Sequence, residues 1–442
     1  MEFKQYPSYK KSGVEWLGDV PEHWQIVRTK DIFNHRKEEA LEDDEIVTAF
    51  RDGQVTLRKN RRTDGFTNSI KEHGYQHINN GDLVIHEMDA FAGAIGVSDS
   101  SGKSTPVYTV CYAKNENINH HFYSHFFRTM AKTGFINSLA KGIRVRSTEF
   151  RWNESRNVYL AEPPKADQEK IVSFLDTETA RIDNLIAKQE KLIELLEEQR
   201  KSIISHAVTK GLNPNAPMKD SGVEWLGDVP EHWTVLKNRH IFRFSKGLSI
   251  TKEHLQDSGI PCVSYGEVHS KFGFEFDPEI NDMKFVSEEY LETSKNCLLN
   301  SGDFIFADTS EDFEGSGNFS YLNSKSQVFA GYHTVIARLK SQQNPRFFAY
   351  VFDSNAHRKQ IQTQIKGIKV FSITQGILKD IYSWVPPVNE QHLIVEYLDQ
   401  ECSKISLLKL NQRNLIEKLK EYRSSIISHA VTGKIDVREF TA

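Results

Sequence analysis

Apolar positions recur every seven residues in two stretches of the chain. Stepping from Leu175 gives Leu175, Ile182, Gln189, Leu196 and Ile203, and stepping from Leu398 gives Leu398, Ile405, Gln412, Leu419 and Ile426. The two series match in residue type at every step, at an offset of 223. Leu185 and Leu192 in one copy, and Leu408 and Leu415 in the other, extend the pattern three residues on. Glu, Lys, Arg and Gln fill much of the remainder. A repeat of 3.5 residues in such a setting reads as a coiled-coil seam. Pro163-Pro164 with Gln168, and Pro386-Pro387 with Gln391, stand at the entrances, where proline suits a helix start. Both copies close on Ser-Ile-Ile-Ser-His-Ala-Val-Thr, at 202–209 and 425–432. Two helices follow, each roughly 60 Å long at ~1.5 Å per residue.

A second repeat sets the domain plan. Ser12–Trp24 and Ser221–Trp233 both read SGVEWLGDVPEHW, and a period near half the chain means a duplicated architecture. Each half runs from this segment through a variable region and Pro-Pro into a long helix. The join at 211–217, rich in Pro and Asn, reads as a linker or turn. The predicted order is a first domain at 1–162, a helix at 163–211, a second domain at 212–385 and a helix at 386–442. The repeated tryptophans are expected to be buried anchors, because large aromatics dominate packing.

The variable regions, about 25–160 and 234–384, share rhythm rather than sequence. Short β-like runs at 82–86 and 303–307 each follow a Gly, and further runs occupy 107–112 and 333–338. Helical stretches at 119–133 and 345–362 come next, then Lys141-Gly-Ile-Arg-Val against Lys366-Gly-Ile-Lys-Val. Short strands mixed with helices predict an α+β chain with two similar α/β domains. Two domains of one fold and different sequence would contact two different things.

The 442 residues, 38% hydrophobic and 26% charged, describe an ordinary globular protein of more than one domain. No apolar run approaches the ~20 residues of a membrane helix, and Met1–Lys11 lacks a signal-peptide core. Cys111, Cys262, Cys297 and Cys402 lie far apart, without metal-ligand spacing. They are read as reduced thiols in a cytoplasmic protein without a structural zinc. The net charge of −4 neither announces nor excludes a nucleic-acid partner, since a local basic surface decides that.

Basic residues do gather locally: Arg51, Arg58, Lys59, Arg61 and Arg62 form one cluster, and Lys141, Arg144, Arg146 and Arg151 another. The second domain offers Lys366 and Lys369, then Lys246 and Lys271. Gly142 and Gly367 would let backbone approach a phosphate closely. A run such as 58–62 also suits a plain solvated loop; the Lys-Gly-Ile-Arg/Lys-Val pair is the stronger signal because it recurs in divergent domains. Catalytic constellations are missing: there is no Walker loop and no His-Glu-x-x-His. Gly315-Ser-Gly317 reads as a turn, and Asn344-Pro-Arg-Phe347 as a helix start rather than a methyltransferase box. His206 and His429 fall at equivalent points near the helix ends, where packing or capping would explain them.

The paired SGVEWLGDVPEHW segments, the Pro-Pro…Gln entrances and the two SIISHAVT endings resemble the specificity subunit of Type I restriction–modification systems, over the whole chain. The resemblance implies a non-catalytic subunit without a cofactor of its own. Two variable target-recognition domains would each read half of a bipartite, asymmetric DNA sequence. Two modification subunits that methylate adenine would bind the helical regions, and restriction subunits would complete an ATP-dependent nuclease. Physics fits the layout independently. Similar readers on opposite half-sites need a two-fold relation, which makes the helix pair antiparallel and the whole pseudo-two-fold symmetric. A pair ~45–60 Å long can hold two domains one DNA turn, about 34 Å, apart. Gln189 and Gln412, central in the seam, would then meet at the pseudo-dyad, fixing register at some cost in stability. The DNA contacts expected are Lys141, Gly142, Arg144 and Arg146; Lys366, Gly367 and Lys369; and Arg58, Arg61 and Arg62. Two competing readings are a self-contained DNA adenine methyltransferase and a coiled-coil scaffold without a nucleic-acid role. A specificity subunit working with another effector is a further one.

Overall fold

The computed structural model describes residues 3–61, 73–139, 150–367 and 369–441. The two predicted long helices are continuous, Lys165–Lys210 and Val388–Val431. The compact units cut across chain order. One comprises Met1–Glu190 with Arg413–Ala442, the other Lys191–Gln412, so each takes half of each long helix.

In the first unit the target region is an excursion whose two ends meet. Gln25–Arg28 pairs antiparallel with Tyr159–Glu162, just before Pro163. Between them lies a four-stranded sheet of β1 (Phe33–His35), β2 (Leu83–His86), β3 (Ile95–Val97) and β4 (Tyr108–Ala113), in the order β1-β4-β2-β3 and antiparallel throughout. Helix α1 (His120–Lys132) follows β4. Side chains alternate between faces along a strand. Leu83 and Ile85 enter the core that holds α1, and Val84 enters a smaller core with Val47, Val55 and Val110. Both faces are covered, which is why the strand reads as a continuous apolar run.

The second unit repeats this build. Thr234–Lys237 pairs with Tyr382–Val385. The sheet comprises β5 (Phe242–Lys246), β6 (Glu275–Phe276), β7 (Phe304–Ala307), β8 (Phe319–Leu322) and β9 (Thr334–Leu339), in the order β5-β9-β7-β8-β6. Phe304 and Phe306 point to the main core, and Ile305 and Ala307 to a second one with Val263 and Val268. The helical stretch predicted as one piece is two helices, α2 (Pro345–Asp353) and α3 (Asn355–Gln362). Ser354 takes extended backbone and its hydroxyl accepts from His357 N, so it caps α3 and breaks the run.

The second tryptophan of each repeated segment joins its domain to the long helices. Trp24 and Trp233 are fully buried, whereas Trp16 is half-buried and Trp225 is 41% exposed, so the expectation of buried anchors holds for one tryptophan per copy. Trp24 Nε1 donates to Asp167 at 3.4 Å and Trp233 Nε1 to Glu390 at 3.1 Å, each carboxylate lying in the first turn of a long helix. His23 and His232 reach the same two carboxylates at 2.8 and 2.7 Å. The end of the other helix arrives at the same tryptophan. A Cβ on Gly433 would lie 3.0 Å from the Trp24 ring, and one on Gly211 would lie 3.3 Å from Trp233. Both glycines have φ of 73° and terminate the helices in the left-handed conformation.

The start of one long helix and the end of the other therefore meet at one residue within each unit. Asp183–Arg423 in the first unit and Glu197–Lys409 in the second then pair further along, so the helix halves run antiparallel in both. Leu175, Ile182, Leu196, Leu398, Ile405 and Ile426 are buried, while Ile203, Leu419, Gln189 and Gln412 are half-buried. The companion stripe departs from expectation. Leu192, Leu408 and Leu415 are 38%, 46% and 41% exposed, because one partner helix covers a single stripe. His206 and His429 are also exposed rather than packed.

Gln168 and Gln391 are wholly buried and span the joint between domain and helix. Gln168 Oε1 accepts from Asn119 N at 2.9 Å, while its amide donates to the Pro163 and Asn117 carbonyls. Gln391 Oε1 accepts from Asn344 N at 2.9 Å and its amide donates to the Pro386 carbonyl. Asn119 and Asn344 are the N-caps of α1 and α2. Gln391→Ala strands a buried N–H and a carbonyl, so a loss of about 2–4 kcal/mol is expected, at ~1–3 kcal/mol per orphaned group. Urea denaturation followed by Trp fluorescence measures it, and unchanged stability would contradict the account.

His357 is fully buried, and desolvation holds its imidazole down at about 3. An unfolded histidine takes up a proton near pH ~6.5. Below that pH the unfolded chain binds a proton that the folded one refuses, so stability is full above ~6.5 and falls towards pH 3. The slope is at most about 1.4 kcal/mol per pH unit for this group. Melting curves between pH 7.5 and 5 are expected to fall less steeply for His357→Gln than for the parent.

Candidate DNA interface

In the second unit Lys366, Gly367 and Lys369 are exposed and follow α3. A Cβ on Gly367 would lie 2.2 Å from the Val370 carbonyl oxygen, so this turn closes too tightly for a side chain. Phe371–Ser372 then pairs with Thr309–Ser310, and Ile373 N donates to the Asp308 carbonyl at 2.8 Å. The two lysines are thereby pinned beside the loop that leaves the C-terminal end of β7.

A cleft of about 630 Å³ opens at that loop, between Tyr265, His269, Ser270, Asp312, Asn318, His333 and Val370. Its polar groups are fixed in a relay. Arg358 donates to Asn318 Oδ1 at 2.9 Å, which turns the Asn318 amide towards His269 Nδ1 at 3.0 Å. The other ring nitrogen, Nε2, therefore carries the hydrogen and donates to the Thr309 carbonyl at 2.7 Å. His333 has φ of 55°, a left-handed conformation unusual for histidine, and its Nδ1 lies 3.2 Å from Asp308. The Tyr265 ring packs edge-on to His333 at 5.5 Å. With Glu311 and Asp312 in its wall, the cleft is too acidic to seat phosphate. Its carboxylates and imidazoles suit exocyclic amino groups and ring nitrogens, and Lys366 and Lys369 suit the backbone nearby.

Lys141, Gly142, Arg144, Arg146 and Arg62 lie outside the described residues. The exit from the first of these segments is nonetheless equivalent to that in the second unit. Buried Phe150 donates its N–H to the Glu87 carbonyl at 3.3 Å, as Ile373 does to Asp308. Arg51 bonds Asp89 at 2.9 Å and Arg151 lies 3.8 Å from Glu87, so the structure brings these two arginines to one loop after β2. Arg58 is half-buried, with Nε on Thr48 Oγ1 at 3.2 Å. Arg61 pairs with Asp52 at 2.6 Å and stacks on Phe50 at 4.2 Å, and Lys59 pairs with Glu45. Exposed pairs of this kind are worth about 0–1 kcal/mol, which leaves such cations exchangeable for phosphate. Lys271 faces Asp282 at 3.4 Å, and Lys246 is exposed.

Gly315–Gly317 is a turn closed onto Asp312, and Asn344 caps α2. His269, Asn318, His333 and Arg358 were not singled out from the sequence. They are spread over some 90 positions and share no local signature.

The family model of the Type I restriction modification DNA specificity domain matches twice, at residues 21–195 and 230–418. The chain belongs to this family. Among its relatives are two named specificity subunits. That of the Methanocaldococcus jannaschii MjaVIII Type I restriction enzyme is 24% identical, covering 95% of this chain and 94% of the relative. That of Escherichia coli EcoKI is also 24% identical, covering 95% and 90%. The fold resembles a chain solved in work on assembly and conformational transition of a type I R-M system, with TM-score 0.68 and 16% identity. That match covers 93% of this chain and 98% of the other. It also resembles the HsdS subunit from Thermoanaerobacter tengcongensis, with TM-score 0.54 and 15% identity, covering 94% and 98%.

Each specificity-domain match contains a main sheet, a loop after one of its inner strands, and a returning segment tied to that loop by a backbone bond, from Phe150 to Glu87 in one and from Ile373 to Asp308 in the other. The two loops carry different chemistry: Glu87, Asp89, Arg51 and Arg151 in one, Asp308, His333, His269 and Asn318 in the other. As specificity domains they therefore offer two different hydrogen-bonding surfaces at one topological position.

Proposed function

We propose that this chain is the DNA-reading subunit of a Type I restriction–modification complex and carries no catalytic site of its own. The observation that carries this is the pair of specificity domains with equivalent frames and unlike recognition loops. Each domain, within 1–162 and 212–385, reads one half of a bipartite, non-palindromic target. In the second domain Lys366, Gly367 and Lys369 hold the phosphate backbone, and the cleft at His269, Asn318 and His333 reads base edges. In the first, Lys141, Gly142, Arg144 and Arg146 take the backbone role, together with Arg51, Arg58, Arg61, Arg62 and Arg151.

The long helices set the spacing between half-sites and dock two modification subunits, with restriction subunits joining the full complex. Leu192, Leu195, Leu407, Leu408 and Leu410 support the docking role, because they leave apolar side chains exposed on helices that domains do not cover. In the assembled complex the partners supply adenine methylation and ATP-dependent cleavage. Among the described residues no helix is long and apolar enough to cross a membrane; the proposed work on DNA itself places the chain in the cytoplasm.

Co-expression with the modification subunit, followed by genome-wide mapping of methylated adenines, tests the reading. A two-part motif with a fixed spacer is expected; methylation by this chain alone, or none that depends on it, would refute it. Within the complex, Lys366→Ala with Lys369→Ala is expected to weaken cognate and non-cognate DNA alike. The slope of log affinity against log salt should fall by about two contacts' worth, ~0.9 per phosphate. Arg144→Ala combined with Lys369→Ala probes both domains at once, and an unchanged affinity and salt slope would remove these residues from the interface. Asn318→Ala is expected instead to relax base choice in one half-site only, read as a change in the methylated motif.

A further inference from the structure

Helix α1 and helix α2 occupy equivalent places, each capped by an Asn that bonds the buried Gln of a long helix. Counting from those caps, Arg128 in the first unit corresponds to Asp353 in the second. In the second unit Arg200 of the long helix donates to Asp353 at 3.3 Å, and Arg358 approaches the same carboxylate at 3.7 Å. The repeat offset of 223 makes Arg423 the counterpart of Arg200. In the first unit, then, an arginine of the long helix meets a cation where its counterpart meets an acid.

The described surroundings do not neutralise that cation. Arg128 lies close enough to Arg423 for the two charges to disfavour each other, and Arg423 instead pairs with Asp183 at 2.8 and 3.0 Å. Asp52 is the carboxylate whose charge reaches Arg128, and it is already bonded to Arg61. A Cβ on Gly53 would fall 2.4 Å from the Arg128 guanidinium, so that loop closes one side of it with bare backbone. Beside these groups is a cavity of about 380 Å³, whose lining includes His125, Arg128, Lys132, Glu421, Ser425 and His429. His125 Nδ1 and Arg128 Nε are buried there without a hydrogen-bond partner. Burial together with the neighbouring cations also holds Lys132 below the usual lysine range. Glu421, which is exposed, is the one carboxylate in that lining among the described residues.

We propose that this cavity binds a phosphate-class oxyanion, held by Arg128 and Lys132 with His125 and the Ser425 hydroxyl. Orphaned donors and crowded cations in a concave site are what a multivalent oxygen anion satisfies. The phosphate can be a free ion or part of a nucleic-acid backbone. It is distinct from the contacts at Lys366 and Lys369, which lie in the other unit.

The test is calorimetric titration and thermal melting of the full chain with inorganic phosphate and pyrophosphate against chloride, at constant ionic strength. Saturable binding with a raised melting temperature is expected. Lys132→Gln should weaken it at least tenfold. Arg128→Asp, which restores the carboxylate found at the equivalent position, should abolish it and raise the melting temperature in chloride. Displacement of bound phosphate by a short non-cognate duplex would assign the site to DNA backbone, and retention would assign it to the free ion. No binding of either anion, or binding unchanged in Lys132→Gln, would overturn the proposal even if Arg128→Asp failed to fold.

Discussion

A buried indole between two helix ends is the constraint on which each unit rests. Trp24 and Trp233 each receive the first turn of one long helix through a carboxylate and the terminal glycine of the other through direct contact. An indole N–H buried without an acceptor is costly, and Asp167 or Glu390 supplies that acceptor. A side chain at Gly433 or Gly211 would collide with the ring or its neighbours. The thirteen-residue segment around each tryptophan therefore does more than plug a core: it fixes which helix end lies beside which helix start. Antiparallel pairing within each unit follows from that junction, and the heptad stripe completes it.

The glutamine joint transmits this order to the domain. Gln168 and Gln391 sit one residue past the carboxylates that hold the tryptophans, and they bond the caps of α1 and α2. Those helices pack on the sheets whose central strands end at the proposed recognition loops. The variable region also enters and leaves through a two-stranded ribbon, at 25–28 with 159–162 and at 234–237 with 382–385. A region whose ends are adjacent can change its interior without disturbing the frame. That is the physical basis for two recognition surfaces of unlike chemistry on frames of like build.

What the sequence reveals follows from the range of the interactions involved. The heptads, the tryptophan segments and the paired strands are legible because local periodicity and duplication report them directly. The split between α2 and α3 was hidden because it turns on one capping serine inside an apolar, helix-like run. The exposed leucine stripe was hidden because a heptad cannot tell whether a second neighbour covers its flank. The roles of Gln168 and Gln391 were half legible: their repetition marked them, but the domain groups they bond lie about 50 positions away. His269, Asn318, His333 and Arg358 were not legible, since only the folded sheet gathers them around one cleft.

Duplication gives this chain an internal control. Where the two copies agree, as at Trp24 and Trp233 or Gln168 and Gln391, the shared interaction belongs to the frame. Where they differ at an equivalent point, the difference has been tolerated by an otherwise matched scaffold and carries the individuality of that half. His333 against Val107, just before β9 and β4, is one such contrast, and His333 lines the cleft beside β7. Arg128 against Asp353 is another, and it falls away from the cleft, on the helix that the glutamine joint anchors. An ion pair in one copy and a crowded, under-bonded cation in the other cannot both be frame. The frame requirement at that position is met by Arg200 with Asp353, so the departure at Arg128 calls for a counter-charge that the first unit's own described side chains do not provide.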